Sequence, residues 1–432
     1  MEIVDLSVLA VTLPKLSGDL GASPNEIVVV LTSYLVANAA IIPITGWLAT
    51  YFGRKRYYLA CVVGFTISSF LCGLAPNLEM LVLFRILQGI SGGGLATSEQ
   101  AIIANVTPPD HLGRVFSFYG ACVMFASVIA PTLGGFITDT LGWRWIFFIN
   151  IPIGVFSFFM TSVFVRDTEH HSDYEDGENS ESVKSSEPRD VARIDWFGIA
   201  LTLIGITALL IVLEEGPKES WFESGYIFFL TIVAAISLVF AVAWELVCEN
   251  PAVDLSLLAH RGFAIACVLI FLASFVFTSG ISIVIPVFVQ DVLGFGAFET
   301  GLVGMPGAIS VTIGVYVIGY MIDKFTAKYV IAFGYFASIL AFLNMATLTS
   351  TFPFLLLIFN RTLVSISMTF GAVGVNATAY YGIDPKKHNA ASSMLNLARI
   401  LGTSFGYSVV ATILVSLARR HIVDLGQNFS EL

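Results

Sequence analysis

Five ionisable side chains stand inside otherwise apolar stretches of this chain: Asp5, Arg85, Glu99, Arg361 and Arg399. In hydrocarbon such a group costs roughly 2.5–3.5 kcal/mol on insertion scales, so it needs a partner or a water-filled cavity. Burial raises a carboxyl pKa and a nearby cation lowers it. A carboxyl held between these influences takes up and releases protons near neutral pH, which is what proton coupling requires. The drive is about 2.3 kcal/mol per charge per 100 mV of membrane potential. Arg85 and Glu99 are fourteen residues apart on one helical stretch. They share a face but lie ~21 Å apart, so they do not pair. Arg85 therefore needs a carboxylate on another helix, and Asp5 is the candidate; the plainer alternative is a purely structural ion pair. Asp5 has a plainer alternative too, a solvated carboxyl near a helix end. For Glu99 it is a packed carboxyl near the inner mouth. Gln88, three residues after Arg85, shares its face and is placed to bond a substrate or a neighbouring helix. Glu245 is a weaker candidate, and Glu214-Glu215 reads as solvated.

The elements that must position these groups are membrane spans. Of the 432 residues 56% are hydrophobic and only 12% charged, against about 25% charged in a soluble domain. Nearly uncharged segments of spanning length recur along the whole chain. The first, Leu6–Pro14 with its flanks, is about a dozen residues, short for a bilayer that needs about 20. Twelve more follow, at about Ile27–Ala49, Tyr57–Leu74, Leu78–Val106, Val115–Leu141, Ile146–Val165, Trp196–Leu213, Tyr226–Val247, Gly262–Val289, Glu299–Ile322, Lys328–Leu348, Pro353–Tyr381 and Ala391–Leu417. The fold class is all-α integral membrane, with about 13 spans crossing the cell (cytoplasmic or plasma) membrane, the lipid bilayer itself being a partner. Residues 166–195 form the one long polar stretch, an acidic linker expected to be disordered. Its His170-His171 pair reads as part of a solvated linker rather than a metal site. The five cysteines have no metal-like spacing and read as free thiols. No basic n-region precedes the first apolar stretch, so no cleavable signal peptide is expected.

Between the second and third spans lies a basic hairpin, Gly53-Arg54-Lys55-Arg56. If it is cytoplasmic, thirteen of the 21 cations fall in loops on its side, five on the other side and three inside spans. That bias fits the positive-inside rule and sets the N-terminus in the cytoplasm. The stretch Gly319-Tyr320-Met321-Ile322-Asp323-Lys324-Phe325 echoes Gly46-Trp47-Leu48-Ala49-Thr50-Tyr51-Phe52. The echo is in register if spans seven and eight are an insertion between two six-helix halves, a known transporter design. The chain then divides into residues 1–165 (first half), 166–195 (linker), 196–248 (two inserted spans) and 249–432 (second half, its last span missing).

These residues resemble the major facilitator superfamily, and within it the fourteen-helix drug:proton antiporter family, the EmrB/QacA branch. The resemblance rests on the hairpin, on Arg85-Ile86-Leu87-Gln88-Gly89 in span four and on Ala130-Pro131-Thr132-Leu133-Gly134-Gly135 in span five. Asp5 with Val11, Leu13 and Pro14, the run Trp145 to Gly154, Asn250-Pro251 through Asp254 to Leu257, and Ser392-Ser393 through Asn396 and Arg399 match the same branch. The sequence departs from it at Thr50, where an Asp is usual, and at Ala130. A short first helix and an absent fourteenth make the chain appear truncated at both ends. The resemblance implies the major facilitator fold and supports Asp5 as a coupling carboxylate; Asp5, Arg85 and Glu99 are the proton-coupling candidates. It implies gating by Gly46, Gly53, Arg54, Arg56, Pro131, Gly134, Gly135 and Asp323, with the Pro131 segment sealing the two halves as they rock. Substrate-cavity candidates are Gln88, Tyr119, Met124, Asn396 and Arg399, with Phe118, Phe125, Phe275, Phe277 and Met305 as apolar neighbours.

The function expected is export of hydrophobic small molecules by proton antiport with alternating access. It uses the proton gradient and no cofactor, and a membrane-fusion adaptor is an implied partner. Transport of another solute, such as a metabolite or siderophore, and a non-transporting membrane interaction protein are the alternatives. No nucleophile–His–acid set or HExxH motif stands out, so an enzyme is not expected. Gly92-Gly93-Gly94 has no following Lys-Ser/Thr and reads as helix packing, not a phosphate loop. No nucleic-acid partner is expected.

Overall fold

The computed structural model describes residues 1–432 except 109–110, 166–194, 249–250, 278–283, 286–287, 295–296, 325–326, 348–353 and 431–432. Side chains at 10–11, 14, 24–25, 124, 127–128, 131–132, 291, 297–301, 323 and 418–430 also lie outside the description. The acidic linker, the His170-His171 pair, and the side chains of Met124, Pro131 and Asp323 therefore fall outside the described residues.

The helices run in the order α1 (Glu2–Leu20), α2 (Pro24–Ile27), α3 (Val29–Phe52), α4 (Arg54–Leu74), α5 (Leu78–Val106), α6 (Leu112–Thr140), α7 (Trp145–Phe148), α8 (Asn150–Phe164), α9 (Trp196–Glu215), α10 (Gly225–Glu245), α11 (Arg261–Val276), α12 (Ala297–Lys324), α13 (Ala327–Met345), α14 (Phe354–Thr378) and α15 (His388–Ser430). Among the described residues, ten helices are long and apolar enough to cross a membrane, and this is a multi-pass membrane protein. Their ends follow local chemistry. Asn77 caps α5 by accepting from the Met80 N–H at 2.9 Å, and Asp195 caps α9 through the Gly198 N–H at 2.9 Å. Gly53 joins α3 to α4 at φ 88°, a backbone conformation that favours glycine.

One expectation from the sequence is corrected. The first helix is 19 residues, not a dozen. Lys15 does not end it, because its ammonium donates to the Thr138 carbonyl at 2.6 Å on α6. The helix closes five residues later, where Gly21 adopts φ 62°. Asp5 is consequently ten residues below the Lys15 contact, about 15 Å along the axis, and is 4% exposed rather than solvated at a helix end. Span six runs from Trp145 to Phe164 as one membrane-length stretch, with Ile149 in helical conformation between α7 and α8.

Packing divides into clusters within each half and one large cluster between them. In the first half, Leu9, Leu16, Val30, Leu81 and Ile137 pack around Trp143 and Phe147. In the second, Ile285, Val303, Leu357 and Val364 form a separate core. The cluster joining the halves holds Ala104, Leu112 and Phe116 from the first against Val375, Tyr380, Ala391 and Met394 from the second. Those residues sit at the C-terminal end of α5, the start of α6, the end of α14 and the start of α15, the same end of the bundle as the basic hairpin. The α9–α10 pair lies along the seam, with Ile206 and Leu210 packed on Ala39 of α3 and on Leu397 and Ile400 of α15.

Candidate functional site

Arg85 is the largest buried polar side chain of the bundle, and the structure sets it against Asp5. Its Nη1 donates to Asp5 Oδ2 at 2.5 Å and to Gln88 Oε1 at 2.7 Å, and its Nε to the Val30 carbonyl at 3.2 Å. The guanidinium lies 4.3 Å over the Tyr34 ring, an arrangement that favours the cation. Asp5 Oδ1 accepts two further bonds, from Gln88 Nε2 at 3.1 Å and Asn150 Nδ2 at 2.8 Å. Asn150 opens α8, and one turn before it the Phe147 carbonyl accepts from Ser69 at 2.9 Å. Arg85 is 0% exposed, so the pair is held away from water.

A second group lies deeper along α5. Glu99 accepts from the Tyr58 hydroxyl at 3.1 Å and faces the Tyr119 hydroxyl. Glu2 accepts from Asn38 Nδ2 at 2.7 Å, and Asn38 in turn lies 3.5 Å from the Tyr34 hydroxyl. Glu2 and Glu99 are within electrostatic reach of one another. The two groups are thus linked through Tyr34, whose ring underlies Arg85 and whose hydroxyl meets Asn38. As geometry requires, Arg85 and Glu99 do not pair.

From this group the polar chain crosses to the second half. Gln100 Oε1 accepts from Asn396 Nδ2 at 3.1 Å. Arg399 then donates to Asn396 Oδ1 at 2.8 Å and to Asn376 Oδ1 at 3.0 Å. Further bonds between the halves continue toward the hairpin. Ser392 donates to the Thr97 carbonyl at 2.6 Å, Thr45 and Ser393 are 2.7 Å apart, Asn389 donates to Thr50 at 3.3 Å, and Arg54 donates to the Pro385 carbonyl at 2.7 Å. The hairpin cations divide their work. Arg54 reaches the other half, Lys55 binds the Ser162 carbonyl at 2.8 Å within its own half, and Arg56 is exposed.

Glycines allow the close approach. A Cβ on Gly46 would lie 2.8 Å from Ala390 Cα of α15, and one on Gly319 would lie 3.1 Å from the Gly113 carbonyl of α6. In each half, then, a glycine near the end of the second long helix packs on the fifth long helix of the other half. Gly134 packs differently from the expectation. A Cβ there would lie 3.0 Å from Val8 Cα of α1, within the first half, and Gly135 faces open space. Here the glycine pair lies inside one half and does not bridge the two. Phe118, Phe125 and Met305 are exposed, while Tyr119 is partly buried. Among the described residues no cluster of ligating side chains suits a metal ion.

Several members of these networks carried no weight in the sequence. Glu2 reads there as part of a polar start, and Asn38, Asn150, Gln100 and Asn376 are neutral amides that hydropathy passes over. The signal at Asn38 and Asn376 is a lone amide in a run of small and apolar residues, whereas Gln100 directly follows Ser98-Glu99.

Comparison with known proteins agrees with this architecture. The Major Facilitator Superfamily profile matches residues 1–407. The chain is 32% identical over 429 residues to the multidrug export protein EmrB of Escherichia coli strain K12, covering 99% of this chain and 80% of that protein. It is 35% identical over 309 residues to the fatty acid resistance protein FarB of Neisseria gonorrhoeae, covering 72% of this chain and 57% of that protein. Among solved structures, the human organic anion transporter MFSD10 (TETRAN) superposes with a TM-score of 0.64 at 15% identity, covering 96% of this chain and 91% of that one.

Proposed function

The chain belongs to the major facilitator superfamily, and from that membership we propose that it is an efflux transporter, not an enzyme, which exports hydrophobic small molecules in exchange for protons. The names of its relatives, multidrug export and fatty acid resistance, support export of such molecules across the plasma membrane.

The observation that carries proton coupling is the Asp5–Arg85 pair. A proton on Asp5 removes its charge and leaves a fully buried guanidinium without a counter-ion. Breaking a buried pair in this way costs about 3–5 kcal/mol. Loading a proton on Asp5 therefore disfavours the present arrangement and frees Arg85 to take another partner. Tyr34 and Asn38 connect that movement to Glu2 and Glu99, and Gln100 connects Glu99's helix to the second half. The bonds from Arg54 to Asn396 close one end of the seam. With the hairpin cytoplasmic, this is the member of an alternating-access pair that is shut toward the cytoplasm.

The test is ethidium efflux from energised vesicles carrying the full chain. Efflux should collapse on adding an uncoupler. Efflux that ignores the uncoupler sinks proton coupling, and no efflux of any hydrophobic probe sinks the export reading.

A further inference from the structure

Charge is balanced differently in the two halves. Arg85 has its carboxylate at 2.5 Å. Arg399 has none within 4 Å among the described residues; its two described bonds go to the neutral Asn396 and Asn376. Its position excludes the simple ways of tolerating a lone cation. It lies eleven residues into α15, about 16 Å along the axis, near the middle of a hydrocarbon core about 30 Å thick. It is too deep for its head to reach the interface along its own stem. Nor does it face lipid alone. Asn376 ties it to α14, Asn396 ties it to the Gln100 rung of the seam, and Tyr119 of α6 feels both Glu99 and Arg399. Yet the residue is only partly buried. The guanidinium is thus partly exposed although both asparagines hold it at the seam.

The two asparagine oxygens each take one N–H from a different terminal nitrogen. That leaves Nε and one N–H on each terminal nitrogen without a partner among the described residues, and Arg399 has no buried unsatisfied atom. Guanidinium N–H groups held in this way match a carboxylate bidentately. From this geometry we infer that Arg399 is an anion subsite, and that the ligand it takes is an amphipathic organic acid whose carboxylate docks on the guanidinium while Asn376 and Asn396 hold the fork in place. This deepens the efflux reading and rests on it for the ligand's hydrophobic character.

The test is binding, which needs no gradient. The probes are 2-naphthoate and its neutral near-isostere 2-naphthamide, titrated by calorimetry into the purified full chain in detergent. A charge-assisted bond to a guanidinium predicts that the wild type prefers the acid by about tenfold or more. In Arg399→Gln the preference should fall to near unity while affinity for the amide stays within about twofold. Arg399→Lys, which keeps a point charge without the fork, should retain part of the preference. Arg399→Met repeats the neutral test should the glutamine variant not fold. Equal affinity of the wild type for acid and amide overturns the inference, as does a preference that survives in either neutral variant. A parallel loss for both probes would mark Arg399 as structural only, which also overturns it. If acid binding depends on Arg399 while efflux ignores an uncoupler, the coupling reading fails and this one stands.

Discussion

Replacing Asp5 with Asn separates a working ion pair from a packing one. The carboxylate accepts three bonds, one from Arg85 on Oδ2 and two from Gln88 and Asn150 on Oδ1. The amide keeps one acceptor, which satisfies Gln88 and Asn150 as before. Its NH2 then sits where Oδ2 was, 2.5 Å from an Arg85 nitrogen that also donates. The variant thus loses the counter-ion of a 0% exposed guanidinium and opposes donor to donor. Breaking a buried pair this way costs about 3–5 kcal/mol. Arg85→Gln strands the carboxylate with two amide donors and falls in the same range. The double variant removes both charges, so it should be less damaged than the two costs added, by an interaction energy of about 0.5–3 kcal/mol. The stability assay is unfolding by sodium dodecyl sulfate titration in mixed micelles, run on all four proteins. The functional assay is uncoupler-sensitive efflux. If Asp5 carries the proton, the double variant regains stability but not coupled efflux. If the pair is only structural, both return together, and that outcome refutes the coupling argument. Single-variant costs under about 1 kcal/mol would refute the burial argument itself.

Other contacts give sharper, smaller tests. Gly46→Val would press side-chain atoms into the α15 backbone, since even a Cβ there lies 2.8 Å from Ala390 Cα; overpacking of about 1–3 kcal/mol should hold the hairpin end apart, read as slower cross-linking of cysteines across the seam. Thr45→Cys with Ser393→Cys, at positions whose hydroxyls are 2.7 Å apart, should oxidise to a disulfide that stops efflux, and reduction should restore it; unchanged efflux in the cross-linked protein would show that this end need not open. The connector ahead of α11 should titrate. Partial burial works to raise the Asp254 carboxyl, but the Lys387 ammonium at 2.7 Å and the Ser256 donors outweigh it and hold it below its ordinary 3.8. A depressed carboxyl pKa contributes stability that is present above the unfolded value and lost as pH falls through the folded one, so unfolding midpoints should drop below about pH 4 in the wild type and show no such drop in Asp254→Asn.

Much of the fold was legible because hydropathy over 20 residues is a strong signal. Span four runs from Leu78 to Val106 in both sequence and structure. Asp5 as the partner of Arg85 was legible from cost, since a lone guanidinium in hydrocarbon demands an acid and few were available. What was hidden has definite causes. Lys15 looks like a helix terminus, and only the facing Thr138 carbonyl shows that the helix runs past it. Glu2 looks like a polar start until α1 is seen to be 19 residues long with Asp5 buried. The amides that bind Asp5, Glu2 and Arg399 have no charge to count. Arg54 finds a backbone carbonyl, and a sequence cannot display which carbonyls are left free.

That last contact bears on how the hairpin works without the acid usual at Thr50. Among the described residues, five bonds close the seam at this end: Arg54 to Pro385, Asn389 to Thr50, Thr45 with Ser393, Ser392 to Thr97 and Asn396 to Gln100. None joins a cation to a carboxylate. Neutral bonds of this kind contribute about 0.5–1.5 kcal/mol each, so together they come to roughly 3–8 kcal/mol. Removing one partner of a buried pair such as Asp5–Arg85 costs about 3–5 kcal/mol, which is of the same size. On the proton-coupling proposal, a closure of neutral rungs over packed glycines at Gly46 and Gly319 lies within reach of one protonation event at Asp5.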